Sequence, residues 1–205
     1  MSRRIIIGLT GNIATGKSAV MRLAAERGAL VIDADHVVHE LLQADEEIQT
    51  AVATALGPDV RLSDGRIDRA AVGRIVFGND QALRRLEALL HPAVREEIAR
   101  RVATSDAPVV MIEAIKLLEG SLAAVCDQIW VTTCSRATQL ERLRVCRGMD
   151  DESATARVEA QPPQEEKIAR ADVVIHTDGL MSATQEQFES AWSGLADPER
   201  GGAWA

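Results

Sequence analysis

At 205 residues the chain has room for one domain, or one domain with a small subdomain, around a substantial core. Its 46% hydrophobic and 26% charged residues are ordinary for a globular protein, while a net charge of −8 excludes a general polyanion-binding surface. No nucleic-acid partner is therefore expected, and any phosphate site must concentrate Lys and Arg locally. Aromatic residues are only 2% of the chain, with no Tyr, which predicts a core of Ala, Val, Leu and Ile and argues against base-stacking platforms.

The opening MSRRIIIGLTG has the basic and apolar character of an early signal peptide, but its apolar stretch is too short for one. The run Arg4–Leu9 is instead read as a buried strand. It leads into Gly11–Ser18, GNIATGKS, a complete G-x-x-x-x-G-K-[ST] phosphate-binding loop, and a helical stretch from Ser18 to Arg27 follows. Strand, loop and helix in that order are the setting the motif requires. Four fixed positions match by chance in roughly 1% of chains this long. In such a loop consecutive backbone N–H groups wrap a phosphate at the positive end of a helix. Lys17 reaches the β/γ oxygens, and the Ser18 hydroxyl is available to Mg²⁺.

Leu30–Asp33 predicts a second strand, expected to lie beside the first, and Asp33-Ala34-Asp35 closes it. Carboxylates at that end of a parallel strand face the ligand crevice. One can hold Mg²⁺ while the other takes a proton from an attacking hydroxyl; the competing assignment is capping of the next helix. Helical periods then run over Asp35–Gln43, Glu46–Leu56, Arg69–Phe77, Gln81–Leu90 and Pro92–Thr104, too much for one crossover. His91-Pro92 reads as punctuation between two helices. Further strands are expected at Val109–Glu113, Gln128–Thr132 and Asp172–Ile175. Glu113 could orient a Mg²⁺ water, and Lys116, beside Glu113 and Glu119, fits a surface ion pair or a phosphate contact equally well.

Arg136–Ala171 carries Arg136, Arg142, Arg144, Arg147, Arg157, Lys167 and Arg170, with a break at Pro162-Pro163. Planar guanidinium groups match the charge of a transferring phosphoryl group, so this segment reads as a hinged lid. Arg147 stands out because Gly148 follows it and can end the helix. The whole predicts an α/β fold, a five-stranded parallel sheet with helices on both faces. The nucleotide-binding core is expected at 1–33, 108–135 and 172–195, a helical acceptor-substrate subdomain at 34–107, the lid at 136–171, and a disordered tail at 196–205. Cys126, Cys134 and Cys146 lack metal spacing and read as free thiols of a reducing compartment. No run approaches membrane-spanning length, so a cytoplasmic location without a membrane partner is expected.

Taken together, GLTGNIATGKS at Gly8–Ser18, VIDAD at Val31–Asp35, LEALLHPAVR at Leu86–Arg95, QLERLRVCRGM at Gln139–Met149, Ala160-Gln161, Lys167 and ADVVIHTDG at Ala171–Gly179 resemble the dephospho-coenzyme A kinase family from Ile5 to about Leu195. The resemblance implies a P-loop kinase fold and transfer of the ATP γ-phosphate to the ribose 3′-hydroxyl of dephospho-coenzyme A. It implies that Gly11, Asn12, Ile13, Ala14, Thr15, Gly16, Lys17 and Ser18 hold the ATP phosphates, and that Arg147 closes on them. Asp35 would be the base, with Asp33 supporting it or Mg²⁺. His91 and Arg95 match an element beside the acceptor, and Thr177, Asp178 and Gly179 fall where adenine packs. The chain departs from the family where Ile115 and Lys116 replace Pro and Leu, which adds a cation near the acceptor, and where Thr177 replaces an asparagine on the adenine side. ATP, Mg²⁺ and dephospho-coenzyme A are thus the implied ligands, and oligomeric state is left open. A kinase for a nucleoside or nucleoside monophosphate, and a nucleotide-dependent switch, are the alternatives. The switch would need a water-positioning residue beyond the two aspartates, and none is evident.

Overall fold

The computed structural model describes residues 4–196, so the expected tail lies outside the described residues after Ala196. The chain forms two compact units: one runs to Val31 and resumes at Asp106, and the other is Ile32–Ser105.

Strands β1 (Ile5–Thr10), β2 (Leu30–Asp33), β3 (Val109–Glu113), β4 (Gln128–Thr133) and β5 (Val173–His176) form one sheet in the order β2-β3-β1-β4-β5. β1 pairs in parallel with β3 and β4, and β4 with β5; Ile7 lies opposite Met111, Leu9 opposite Trp130 and Thr132 opposite Ile175. The α/β class is as expected, but the neighbour of β1 is not. β3, rather than β2, takes that place. Burial explains the order: β3 is apolar along VVMI with each of those residues buried, whereas β2 buries only Ile32 fully and leaves Val31 and Asp33 exposed. A strand buried on both faces belongs in the centre, and a half-exposed one at the edge.

In chain order the helices are α1 (Lys17–Glu26), α2 (Ala34–Ala44), α3 (Glu46–Leu56), α4 (Arg69–Val76), α5 (Asp80–Thr104), α6 (Arg136–Arg147), α7 (Asp151–Glu159), α8 (Gln164–Ile168) and α9 (Met181–Ser193). On one face of the sheet Val20, Leu23 and Ala24 of α1 and Phe188 of α9 pack on Ile7, Leu9, Met111, Trp130 and Ile175. The expected aliphatic core therefore has an aromatic centre. Trp130 meets Phe188 edge-on at 5.8 Å, and Phe188 stacks on Trp192 at 5.2 Å.

In the second unit each helix begins at a side-chain cap. Asp33, Asp45, Asp68 and Asn79 accept from the N–H groups of His36, Ile48, Ala70 with Ala71, and Ala82 respectively. The helices enclose Leu42, Val52, Val60, Ile67, Val72, Leu86 and Leu90. The two helices expected on either side of His91-Pro92 are one. α5 runs unbroken through Pro92 because its buried stripe, Ala82, Leu86, Leu90, Val94 and Ile98, keeps a four-residue spacing across the proline. His91, Pro92 and Ala88 are exposed. The Ala88 carbonyl, which loses its helical donor to the proline, therefore lies on the solvent side, where the cost is small.

Helices α6, α7 and α8 belong to the first unit. Leu143 and Ala154 bury Ile13 of the phosphate-binding loop, so α6 and α7 pack directly on it. α6 stops at Gly148 in the left-handed conformation, φ 63°, with Gly148 N–H bonded to Arg144 O and Met149 N–H to Leu143 O. Pro162-Pro163 separates α7 from α8.

Candidate active site

The turn between β1 and α1 needs its glycines. A Cβ on Gly11 (φ 153°) would sit 2.5 Å from the Thr132 carbonyl, and one on Gly16 (φ 88°) 3.2 Å from the Thr177 side chain. Ala14 adopts φ 59°, a left-handed conformation that costs an alanine about 1–2 kcal/mol. Every carbonyl from Gly11 to Thr15 has a side-chain donor. Lys17 Nζ bonds Gly11 O at 3.1 Å and Asn12 O at 3.2 Å, Gln139 Nε2 bonds Ile13 O at 2.8 Å, Arg142 Nη1 bonds Ala14 O at 3.0 Å, and Thr177 Oγ1 bonds Thr15 O at 2.9 Å.

The N–H groups of Ala14, Gly16 and Ser18, by contrast, have no hydrogen-bond partner among the described residues. Donors left open at the start of α1 form an anion-binding concavity, and Gly16, the residue before α1, offers no side-chain cap to compete for them. Lys17 is buried, 3.7 Å from Glu113 Oε1. Ser18 is exposed in the first turn. Asn12 donates from Nδ2 to Pro162 O at 2.9 Å, and its buried Oδ1 has no partner.

In α6–α8, Arg142 was expected as a lid cation and Gln161 as part of a motif, but neither they nor Gln139 and Gln164 were expected to hold the loop. Gln139 and Arg142 hold loop carbonyls, Gln161 Oε1 accepts from Ile13 N–H at 2.6 Å, and Gln164 joins Thr133 Oγ1 to Cys134 O. The only available signal was polar residues on the buried stripe of α6, where Gln139 is buried beside Leu143. Lys167 is buried and donates to Ile115 O at 3.0 Å. Burial, and to a smaller extent the neighbouring Lys17 charge, pushes its pKa down, while Glu119 acts in the other direction. Arg147 is exposed at the end of α6 with no partner among the described residues. Arg144, one turn earlier, bonds Asp151 at 2.9 Å and so ties α6 to α7.

Thr177 is buried, and its hydroxyl is committed to the loop and to Arg142, which removes it as a reader of a base. Asp178 is exposed and receives Ser135 N–H at 2.7 Å and Thr138 Oγ1 at 2.8 Å, at the start of α6; these bonds, Ser135 N–H first, hold its carboxyl below the usual range. Gly179 and Lys116 are exposed.

Within the second unit, Asp33 and Asp35 flank Ala34 at the start of α2, both exposed. Asp33 Oδ1 caps the helix through His36 N–H at 3.0 Å, so the capping assignment holds for that oxygen. His91 and Arg95 are four residues apart on α5 and both exposed, as neighbours on one helix face. Ser18, Asp33 and Glu113 each carry an oxygen donor of the kind that Mg²⁺ takes. No group of three or more His, Cys, Asp or Glu that could hold a metal occurs among the described residues.

A phosphate-binding loop opening an α/β sheet is shared by many enzymes, so the rest of the chain decides between them. The family model for dephospho-CoA kinase matches residues 5–183. A dephospho-CoA kinase of Symbiobacterium thermophilum is 41% identical over 96% of this chain and 83% of its own length. One from Geobacter sulfurreducens is 39% identical over 92% and 97%. The crystal structure of TT1252 from Thermus thermophilus superposes with a TM-score of 0.83 at 30% identity, covering 95% of this chain and all of that one. Matches of this extent take in the loop, both aspartates, the His91–Arg95 turn and the arginine-bearing helix in one order, and the chain belongs to the dephospho-CoA kinase family.

Proposed function

We propose that the protein transfers the γ-phosphoryl group of ATP to the ribose 3′-hydroxyl of dephospho-CoA, giving ADP and CoA. The observation that carries this reading is the loop at 11–18, with its carbonyls tied off and the Ala14, Gly16 and Ser18 N–H groups open to phosphate oxygens, in a chain of this family. Gly11, Asn12, Ile13, Ala14, Thr15, Gly16 and Ser18 would cradle the ATP phosphates. Lys17 would follow the charge that develops during transfer. Arg147, at the exposed end of α6, would meet the equatorial oxygens.

Asp35 would accept the proton of the attacking hydroxyl, and His91, Arg95 and Lys116 would bind the acceptor. Thr177, Asp178 and Gly179 would shape the adenine side, Thr177 through the loop rather than by reading the base. Ser18 and Asp33 would hold Mg²⁺, which would supply positive charge against the phosphates. We place the enzyme in the cytoplasm. Its three cysteines are free thiols, as in a reducing compartment, and burial pushes Cys126 up to about 12 and raises Cys134, which favours the neutral thiol in both. Among the described residues no helix is long and apolar enough to cross a membrane.

The test is ATP consumption over a panel of acceptors, including dephospho-CoA, nucleosides and nucleoside monophosphates. Consumption should depend on dephospho-CoA. Turnover of a nucleoside monophosphate with none of dephospho-CoA would refute the proposal.

A further inference from the structure

Arg142 sits half-buried on α6, behind the phosphate loop. Its Nη1 donates to Ala14 O at 3.0 Å and to Thr177 Oγ1 at 3.0 Å, and its Nη2 donates to Thr177 O. The Thr177 hydroxyl, having accepted from Arg142, passes its own proton on to Thr15 O at 2.9 Å. One guanidinium thus fixes two successive loop carbonyls, one directly and one through a hydroxyl.

A trans peptide points its C=O and its N–H in opposite directions. Holding Thr15 O toward Thr177 therefore turns the Gly16 N–H the other way, where no protein group meets it. Holding Ala14 O likewise fixes the peptide that joins Ala14 to Thr15, whose N–H turns back into the loop to Asn12 O at 3.4 Å. Ala14 is also the one residue other than glycine with positive φ among the described residues, at 59°. A side chain resists that conformation, and the Arg142 bond lies on the carbonyl of the resisting residue. Cys134 Sγ, 3.7 Å from Nη1, adds only a weak contact.

We infer that Arg142 is a positioning residue: it holds the Ala14 turn in its left-handed conformation, so that the loop amides face the phosphates, and locks the segment after β5 to the same loop. The inference rests on the reading of residues 11–18 as the ATP phosphate site. It assigns Arg142 no contact with the nucleotide, which separates it from the exposed Arg147.

The experiment measures displacement of a fluorescent ADP analogue by ADP and by inorganic tripolyphosphate. It uses wild type, Arg142→Lys, Arg142→Ala, Ala14→Gly and the double variants, with folding checked by circular dichroism. Arg142→Lys keeps the charge, but one ammonium cannot reproduce the two-pronged hold on Ala14 O and Thr177 O. Loss of charge-assisted bonds predicts that both Arg142 variants bind ADP and tripolyphosphate about tenfold more weakly. In the Ala14→Gly background, where glycine adopts positive φ without strain, the loss should shrink to less than about threefold.

Three results overturn the inference alone: wild-type affinity in Arg142→Lys, weakened ADP with unchanged tripolyphosphate, or an undiminished loss in the Ala14→Gly background. The second of these would mark a direct contact with the base. A wild type that binds neither probe overturns the nucleotide reading, and this inference with it.

Discussion

The carboxylates at the start of α2 can be separated by their chemistry. Asp33→Asn keeps a good N-cap, so α2 should survive and any defect reports the lost charge. If Asp35 is the base, Asp35→Asn should leave ADP affinity near wild type and cut turnover by about 10²–10⁴-fold, while Asp33→Asn raises the Mg²⁺ requirement. Near-normal turnover in Asp35→Asn would move the base to Asp33 or remove the need for one. Lys17→Ala should lower turnover by at least about 10²-fold. Arg147→Ala should reduce turnover more than acceptor affinity, whereas Arg144→Ala breaks an exposed pair with Asp151 and an exposed bond to Leu140 O and should stay near wild type. The reverse ranking, read from kcat and KM for both variants, would move the lid contact to the other arginine. Lys17 and the loop glycines were legible in the sequence because their geometry is local. The hold of Gln139 and Arg142 on the loop was not, because they reach Ile13 and Ala14 from 126 and 128 residues away, and no short pattern records that distance.

At the level of elements, α2 and α5 are joined by a chain of charge. Arg101 bonds both Glu97 and Glu40, and Arg100 adds a second contact to Glu97. Hydrogen bonds from Arg100 and then Arg101 hold the Glu97 carboxyl down at about 2, against 4.5 for an ordinary glutamate. Its folded pKa lies below its unfolded one, so the stabilisation is complete above 4.5 and lost as pH falls toward 2. The difference in unfolding free energy between wild type and Glu97→Gln should therefore be constant near neutrality and shrink across that window; a difference that grew on acidification would contradict the assignment. Pro92→Ala should stabilise the protein by about 1 kcal/mol in urea unfolding, since it restores one donor, on the solvent side of α5. All five strands, and the helices up to Thr104, were legible from periodicity, whereas α9 was not predicted. The place of β2 was not, because strand order depends on which strand is buried on both faces, and LVID and VVMIE read much alike as short apolar runs. The continuity of α5 was hidden by weighting Pro92 above a stripe that runs past it.

Across the whole molecule, a net charge of −8 coexists with a phosphate site because the cations are placed rather than abundant. Lys17 is buried within the loop, Lys167 and Arg142 are tied to carbonyls, and Arg147 is exposed at a helix end. The loop lies in one compact unit, and Asp33, Asp35, His91 and Arg95 lie in the other. A phosphate-binding loop is common to many enzymes, whereas the acceptor is particular to the family. The position of the transferred phosphate on the product is therefore the most direct test. Incubation with ATP, Mg²⁺ and dephospho-CoA, followed by mass spectrometry and phosphorus NMR, should find one added phosphate on the ribose 3′-oxygen, absent when Lys17→Ala replaces the wild type. Phosphate at another oxygen, or ATP hydrolysis with dephospho-CoA unchanged, would contradict the function proposed for this protein.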